Sequence, residues 1–296
     1  MTRVLILGTN GMLGHKAWQV LGRECRVYGT VRQFDPRLRM TGIFDESRIV
    51  TDVDAWELGS VRRALAETRP DWVLNCIGLI KQKEIAHHAK QAVYINALFP
   101  HLLAEICAEN SCRLIHVSTD CVFSGRTGSY RETDQSDAED YYGRTKFLGE
   151  VSSPGCLTLR TSIVGRDLFS DYSLIDWFLS QAGKQVKGYV RAKYSGFSTI
   201  ALCREIWRII SLYPSLQGLY QVSSAPISKY DLLQMVNHAF QAKVAIVRDE
   251  DFVLDRSMLS ERYWRQTNSQ PPSWPDMVAE IAQDPTGYDE FRKLSR

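Results

Sequence analysis

The sequence predicts an α/β fold, a doubly wound parallel sheet with a smaller, interleaved C-terminal lobe, on three observations. Short β-branched runs alternate with helical patterns through the first 165 residues. A glycine-rich segment directly follows the first of these runs. Beyond residue 165 the rhythm changes to spaced helical patterns. Strand, helix and strand repeated in this way give a sheet covered on both faces, with ligands bound outside the carboxyl ends of the strands.

The strand readings are RVLIL (3–7), CRVYGTV (25–31), IVTDV (49–53), DWVLNCIG (71–78), CRLIHVST (112–119) and LTLRTSIVG (157–165). Between them GHKAWQVLG, SVRRALAET and QAVYINALFPHLLAEICAEN repeat apolar residues at three and four, the helical spacing. Farther on, LIDWFLSQ, IALCREIWRII and KYDLLQMVNHAF read as helices, with LYQVSS (219–224) as a lone further strand. The tail NSQPPSWPDMVAEIAQD reads as a proline-rich loop leading into a final helix. Trp177 and Trp207 fall at helical spacing within apolar patterns and are expected in the core. The division that follows is a Rossmann-type domain over 1–163 plus about 200–224, and a second lobe over about 164–199 and 225–296.

With 44% apolar residues in 296, the chain has material for a sizeable core. Lys and Arg total 36 against 34 Asp and Glu, a net charge of +2 with no basic cluster, which predicts no nucleic-acid partner. The opening apolar run is too short for a signal peptide or a membrane span. Seven scattered cysteines without a C-x-x-C pair fit reduced thiols, so a cytoplasmic protein is expected. His87 and His88 are adjacent rather than one helical turn apart, and no metal site is expected.

Gly8, Asn10, Gly11, Met12, Leu13 and Gly14 form a turn between the first strand and its helix. Glycines there let a pyrophosphate approach the backbone, and the helix N-terminus offers it free N–H groups and partial positive charge. A dinucleotide is the expected ligand. Cys76, Ile77 and Gly78, ending the fourth strand, join the cofactor set, and Asp52 and Val53 are expected to hydrogen-bond to and pack on the adenine. Arg32, following the second strand, suits a 2′-phosphate and favours NADPH, while Asp35 nearby keeps NADH open.

Tyr142 and Lys146 are four residues apart, so they share a helix face. An ammonium about 4 Å from a phenol, at an effective dielectric of about 20, is worth roughly 4 kcal/mol, or about 3 pKa units at most. The expectation is a phenol brought toward neutrality as a proton donor.

With a glycine turn, a strand ending in Ser118-Thr119, and Y-x-x-x-K, the chain resembles the extended short-chain dehydrogenase/reductase superfamily. Within it, STDCVFSG (118–125) is similar to the S-T-D-Y-V-F-x-G of the dTDP-4-dehydrorhamnose reductase group, as are the blocks Leu159–Ser162 and Leu254–Ser257. The resemblance implies an NADPH-dependent reductase of a nucleotide-linked 4-keto-6-deoxy sugar, serving cell-surface polysaccharide synthesis. By the same resemblance Thr119 holds the carbonyl oxygen and Tyr142 protonates it. Lys146 binds the nicotinamide ribose and lowers the phenol pKa. Asn96 braces the strand that carries the hydroxyl.

The related 4,6-dehydratases carry S-T-D-E-V-Y-G here, but this chain has Cys121 and Phe123 in place of Glu and Tyr. A thiol with pKa about 8.5 is a poor substitute for the second carboxylate, so reduction is expected over elimination. The reductases have Tyr where Cys121 stands and often Trp where Ile163 stands. Both changes leave room for a bulkier sugar, and a UDP-2-acetamido-2,6-dideoxy-4-hexulose is the alternative substrate. Asp120 is expected at a substrate hydroxyl and Cys121 as pocket wall. Lys81 is placed at a phosphate or hydroxyl, and Arg256 at the diphosphate because guanidinium binds phosphate oxygens in pairs. Gly196 and Thr199 are assigned to the same cleft. A non-catalytic NADP-binding regulatory subunit is the reading of another class, and a homodimer is the candidate assembly.

Overall fold

In the first strand Val4 and Ile6 face one side and Leu5 and Leu7 the other, and none of the four has exposed surface. A strand buried on both faces needs helices on both. The computed structural model, which describes residues 1–79 and 89–293, builds the sheet from β1 (Arg3–Leu7), β2 (Arg26–Thr30), β3 (Ile49–Val50), β4 (Trp72–Asn75), β5 (Arg113–Thr119) and β6 (Cys156–Thr161). Short strands follow: β7 (Ile163–Val164), β8 (Gln185–Tyr189), β9 (Ala192–Tyr194), β10 (Phe197–Ser198), β11 (Gly218–Gln221), β12 (Ile227–Ser228), β13 (Ala245–Asp249) and β14 (Leu254–Arg256). The main sheet has the order β11-β6-β5-β4-β1-β2-β3, with every neighbouring pair parallel.

The helices are α1 (Met12–Leu21), α2 (Pro36–Met40), α3 (Leu58–Thr68), α4 (Ala89–Ala92), α5 (Phe99–Glu109) and α6 (Tyr141–Leu148). Then come α7 (Leu174–Leu179), α8 (Thr199–Leu212), α9 (Lys229–Phe240), α10 (Glu261–Gln266), α11 (Trp274–Ala282) and α12 (Tyr288–Lys293). A wide-turn stretch, Val93–Leu98, joins α4 to α5. Apolar faces of α1 and α8 close over Val4 and Ile6, and those of α3 and α5 over Leu5 and Leu7. Three small sheets, β12-β9-β14, β13-β8 and β10-β7, occupy the rest of the second half.

Several elements differ from their sequence reading. IVTDV pairs only over Ile49–Val50, because Asp52 takes a positive φ of 55° that leaves the strand conformation. LTLRTSIVG breaks after Thr161 into β6 and β7, with the Ser162 carbonyl accepting from the Phe197 N–H at 2.8 Å. LYQVSS is an edge strand of the main sheet, and α11 is followed by a further helix, α12. Trp177 is 38% exposed rather than in the core.

The C-terminal segment docks on α1 through buried polar groups. Lys16 Nζ donates to Asp284 at 2.5 Å, both side chains being nearly inaccessible. His15 is bound through Nδ1 to the Gly11 carbonyl at 2.9 Å and through Nε2 to the Tyr288 hydroxyl at 3.0 Å. Burial, with the Lys16 charge adding to it, lowers the His15 pKa to about 3, so the ring is neutral. Nδ1 therefore donates to the carbonyl, and Nε2 is an acceptor for the Tyr288 hydroxyl, whose one proton is shared with Asp284 Oδ2 at 3.1 Å. Tyr288→Phe keeps the ring but strands Nε2. A loss of about 1–3 kcal/mol is expected from denaturant unfolding. An unchanged midpoint would show that the hydroxyl carries no stability.

Candidate active site

β1 ends at Leu7, and Gly8 turns the chain at φ +73°, a conformation that side chains with a Cβ rarely adopt. A Cβ on Gly14 would overlap the Gly8 carbonyl, so the turn closes tightly against its helix. Thr9 Oγ1 donates to the Ile6 carbonyl at 2.9 Å and accepts from the Thr30 N–H at 2.8 Å, pinning the turn between β1 and β2. Gly11 caps α1 without a side-chain bond, and no acid sits in the first turn. The leading amides therefore lie open to an anion.

Cys76 and Ile77 lie against Gly8, so the segment Cys76, Ile77 and Gly78 meets the start of the turn that carries Gly8, Asn10, Gly11, Met12, Leu13 and Gly14, where β1 and β4 diverge. That is the switch point at which doubly wound sheets take a dinucleotide, and the residues present fit its phosphates. At the ends of β2 and β3 a cavity of about 400 Å³ is lined by Gln33, Phe34, Ile49 and Asp52 among others. Val53 is buried in the core. Arg32 is exposed. Asp35 is engaged as the N-cap of α2, accepting from Leu38 N–H at 3.0 Å and Arg37 at 2.9 Å.

The other half of the site forms where β5 runs out. Thr119 caps a single 3₁₀ turn, Asp120–Val122, its Oγ1 accepting from the Cys121 N–H at 3.1 Å and donating to Asp120 Oδ1 at 3.1 Å. The Tyr142 phenol is buried beside the same Thr119 hydroxyl. Two glycines allow this approach, since a Cβ on Gly143 would overlap the Cys121 carbonyl and one on Gly149 the Asn96 carbonyl. Asp140 caps the helix, accepting from the Gly143 N–H at 2.8 Å. Lys146 Nζ, one turn on, donates to the Val117 carbonyl at 2.7 Å.

The electrostatics correct the expected tuning of the phenol. Burial pushes the Tyr142 pKa well up, with Cys121 and Asp120 adding to it against the nearby Thr119 hydroxyl. Lys146 is directed at a backbone carbonyl and is itself lowered to about 8 by burial, which Glu150 and Cys76 oppose. Desolvation outweighs the attraction assumed from the four-residue spacing. Asp120 is likewise raised by burial, against Arg256, the Thr119 hydrogen bond and the nearby Cys121 and Ser162.

Arg256 stands beside the end of β5, donating from Nε to the Phe123 carbonyl at 2.9 Å and from Nη1 to Cys121 Sγ at 3.3 Å. Its position is thus at the Thr119–Asp120 cluster. Cys121 and Ile163 are half-buried. Gly196 lies against the Ser162 backbone, where a Cβ would overlap the carbonyl, and Thr199 is buried against Gly165. Lys81 lies outside the described residues. Asn96 braces the loop after β4, accepting from the Leu79 N–H at 2.9 Å and donating to its carbonyl at 3.1 Å, instead of bracing β5.

Three site residues escaped the sequence reading. Ser162 lies beside Asp120 and favours its charged form. Tyr194 is buried near Asp120 with a hydroxyl that has no hydrogen-bond partner among the described residues. Glu150 sits beneath Lys146, and its signal was available in its spacing, four residues after Lys146 as Lys146 is four after Tyr142.

The RmlD substrate binding domain family is matched over residues 1–286. The spore coat polysaccharide biosynthesis protein SpsK of Bacillus subtilis is 25% identical over 298 residues, 96% of this chain and 98% of that protein. A dTDP-4-dehydrorhamnose reductase of Mycolicibacterium smegmatis is 31% identical over 170 residues, 55% of this chain and 46% of that protein. The chain spans about half the length of several curated relatives it matches. A dTDP-4-dehydrorhamnose reductase of Bacillus anthracis, solved in complex with NADP, superposes with a TM-score of 0.77 at 21% identity, covering 95% of this chain and 98% of that one. This likeness places the chain in the same extended Rossmann fold.

Proposed function

The chain belongs to the RmlD substrate binding domain family, and from that premise we propose that it is an NADPH-dependent reductase of a nucleotide-linked 4-keto-6-deoxy sugar. The observation that carries the proposal is the Tyr142 phenol buried beside the Thr119 hydroxyl at the end of β5, on the helix whose Lys146 reaches the Val117 carbonyl of the same strand. The open N-terminus of α1 faces the same edge of the sheet. In this reading 1–163 with about 200–224 hold the cofactor, and about 164–199 with 225–296 hold the sugar nucleotide.

Bound NADPH would supply the hydride for C4 of the sugar. The α1 amides and the Gly8–Gly14 turn would hold its diphosphate, Arg32 its 2′-phosphate, and Lys146 the nicotinamide ribose. Thr119 would hold the carbonyl oxygen and the Tyr142 phenol give it a proton. Because burial raises the Tyr142 pKa, the phenol keeps that proton through the neutral range. Asp120, Cys121, Ile163 and Arg256 would line the sugar.

The pH dependence follows from Lys146. Its ammonium is present below its lowered pKa of about 8 and lost as pH rises through it. kcat/KM is expected to be level below about pH 8 and to fall above. A limb that first appears where an ordinary lysine titrates would contradict the assignment.

Substrate choice is tested by kcat/KM for dTDP-4-keto-6-deoxyhexoses against UDP-linked 2-acetamido analogues. The family premise favours the first, while half-buried Cys121 and Ile163 in place of bulkier residues favour the second. Reduction of neither, with NADPH still bound, would replace the proposal with an NADP-binding regulatory subunit. Seven free cysteines fit a cytoplasmic setting, and no helix among the described residues is long and apolar enough to cross a membrane. Val93, Leu98, Phe147 and Leu148 expose apolar surface on mutually packed segments, which suits a second copy of the chain.

A further inference from the structure

Beneath the reacting end of β5 lies a buried ion pair that the proposed chemistry leaves unused. Arg160 on β6 donates to both oxygens of Glu150, from Nε at 2.9 Å and Nη2 at 2.6 Å. Ser118 Oγ donates to Glu150 Oε1 at 2.7 Å. The Arg160 and Glu150 side chains are 2% and 9% exposed. Arg160 lies opposite Ser118 on β5 and opposite Gln221 on β11, and Arg160 Nη1 and the Gln221 side-chain amide are buried without hydrogen-bond partners among the described residues. One carboxylate thus joins the residue before Thr119 to the end of the segment carrying Tyr142 and Lys146.

Stability does not account for such an arrangement, since removing two charges from water costs about as much as their attraction returns. The surroundings of Lys146 suggest another role. From β5 it meets the Val117 carbonyl and His116, which burial holds well below its ordinary pKa and so neutral. Cys76, after β4, has its thiol pushed up to about 12 by burial and is neutral as well. Tyr142, one turn back, is also neutral, being raised by burial. Glu150, bonded to Ser118 next along β5 from the Val117 carbonyl that takes Lys146, is the anion among the described residues that acts on Lys146, and Arg160 is paired with it.

We propose that Glu150 is a positioning residue that keeps Lys146 an ammonium in this dry interior, with Arg160 setting how much of the carboxylate's charge the ammonium feels. The inference rests on the reading of Lys146 as an active-site group. It predicts opposite effects from the two halves of one ion pair. Glu150→Gln removes the favourable charge and leaves a bare guanidinium, so Lys146 loses its proton more easily. Arg160→Gln uncovers the carboxylate, so Lys146 holds its proton more firmly. Loss of a purely structural pair would move both variants alike.

The test is a carbon-13 NMR titration of lysine in the ligand-free full chain. The wild type is expected to titrate near 8 at Lys146. Glu150→Gln should titrate roughly one unit lower, Arg160→Gln higher, and Glu150→Asp close to wild type. Shifts of the two glutamine variants in the same direction, or none, would overturn the inference. If Glu150→Gln does not fold, Arg160→Gln decides by rising or failing to rise. The titration needs no substrate, so a chain that shows these shifts yet reduces no 4-keto sugar would reject the proposed function and keep this inference.

Discussion

Tyr142→Phe is expected to lower kcat by about 10²–10⁴-fold, the range over which a positioned proton donor contributes. The phenol lies beside Thr119 Oγ1, and burial keeps its proton in place. Removing the oxygen leaves Thr119 with its bonds to Asp120 and the Cys121 N–H, so the strand end and the pocket should persist. KM and NADPH affinity should therefore change little while kcat falls. The measurement is steady-state NADPH oxidation alongside an NADPH binding titration of the same variant. Equal losses in binding and turnover would mean that the phenol shapes the pocket instead of donating the proton.

Gly143→Ala is expected to have a comparable effect by a different route. Its Cβ would overlap the Cys121 carbonyl and press on the Ala138 side chain, and neither can yield without moving α6 or the turn after β5. Overpacking of this kind costs about 1–3 kcal/mol of stability. The larger consequence is geometric. Tyr142 and Lys146 ride on the displaced helix, and a misplacement of about 1 Å at a reacting group costs on the order of 10²-fold in rate. A folded Gly143→Ala with a modestly lowered unfolding midpoint and a kcat reduced about 10²-fold is the expected outcome. A variant with full activity would show that the contact between α6 and β5 tolerates slack.

What the sequence revealed, and what it hid, follows from the range of the interactions involved. Val4, Ile6, Leu5 and Leu7 are buried on two faces, so β1 reads as a continuous apolar run, and the same holds for the neighbouring strands. The glycine turn was legible because Gly8 and Gly14 answer a local geometric need. β8, β9, β10, β12, β13 and β14 escaped notice because they are two to five residues long and set by partners far along the chain. For the proposed catalytic groups, identity and spacing pointed to Tyr142 and Lys146, yet the direction of the phenol's shift was misread. Spacing conveys the distance between two groups but not the burial around them, and burial is the larger effect. Arg256 was assigned to a phosphate from its chemistry alone. Its bonds to the Phe123 carbonyl and Cys121 Sγ, which join β14 to the end of β5, span more than a hundred residues.

Reduction at one carbon is the claim on which the account turns, and isotope transfer addresses it most directly. NADPH carrying deuterium at its transferable position is incubated with the protein and a nucleotide-linked 4-keto-6-deoxy sugar, and the product is read by mass and proton NMR. The account predicts one deuterium, at C4 of the sugar, with the deoxy ring otherwise unchanged. A product that gains deuterium elsewhere, loses water, or forms without isotope would contradict it.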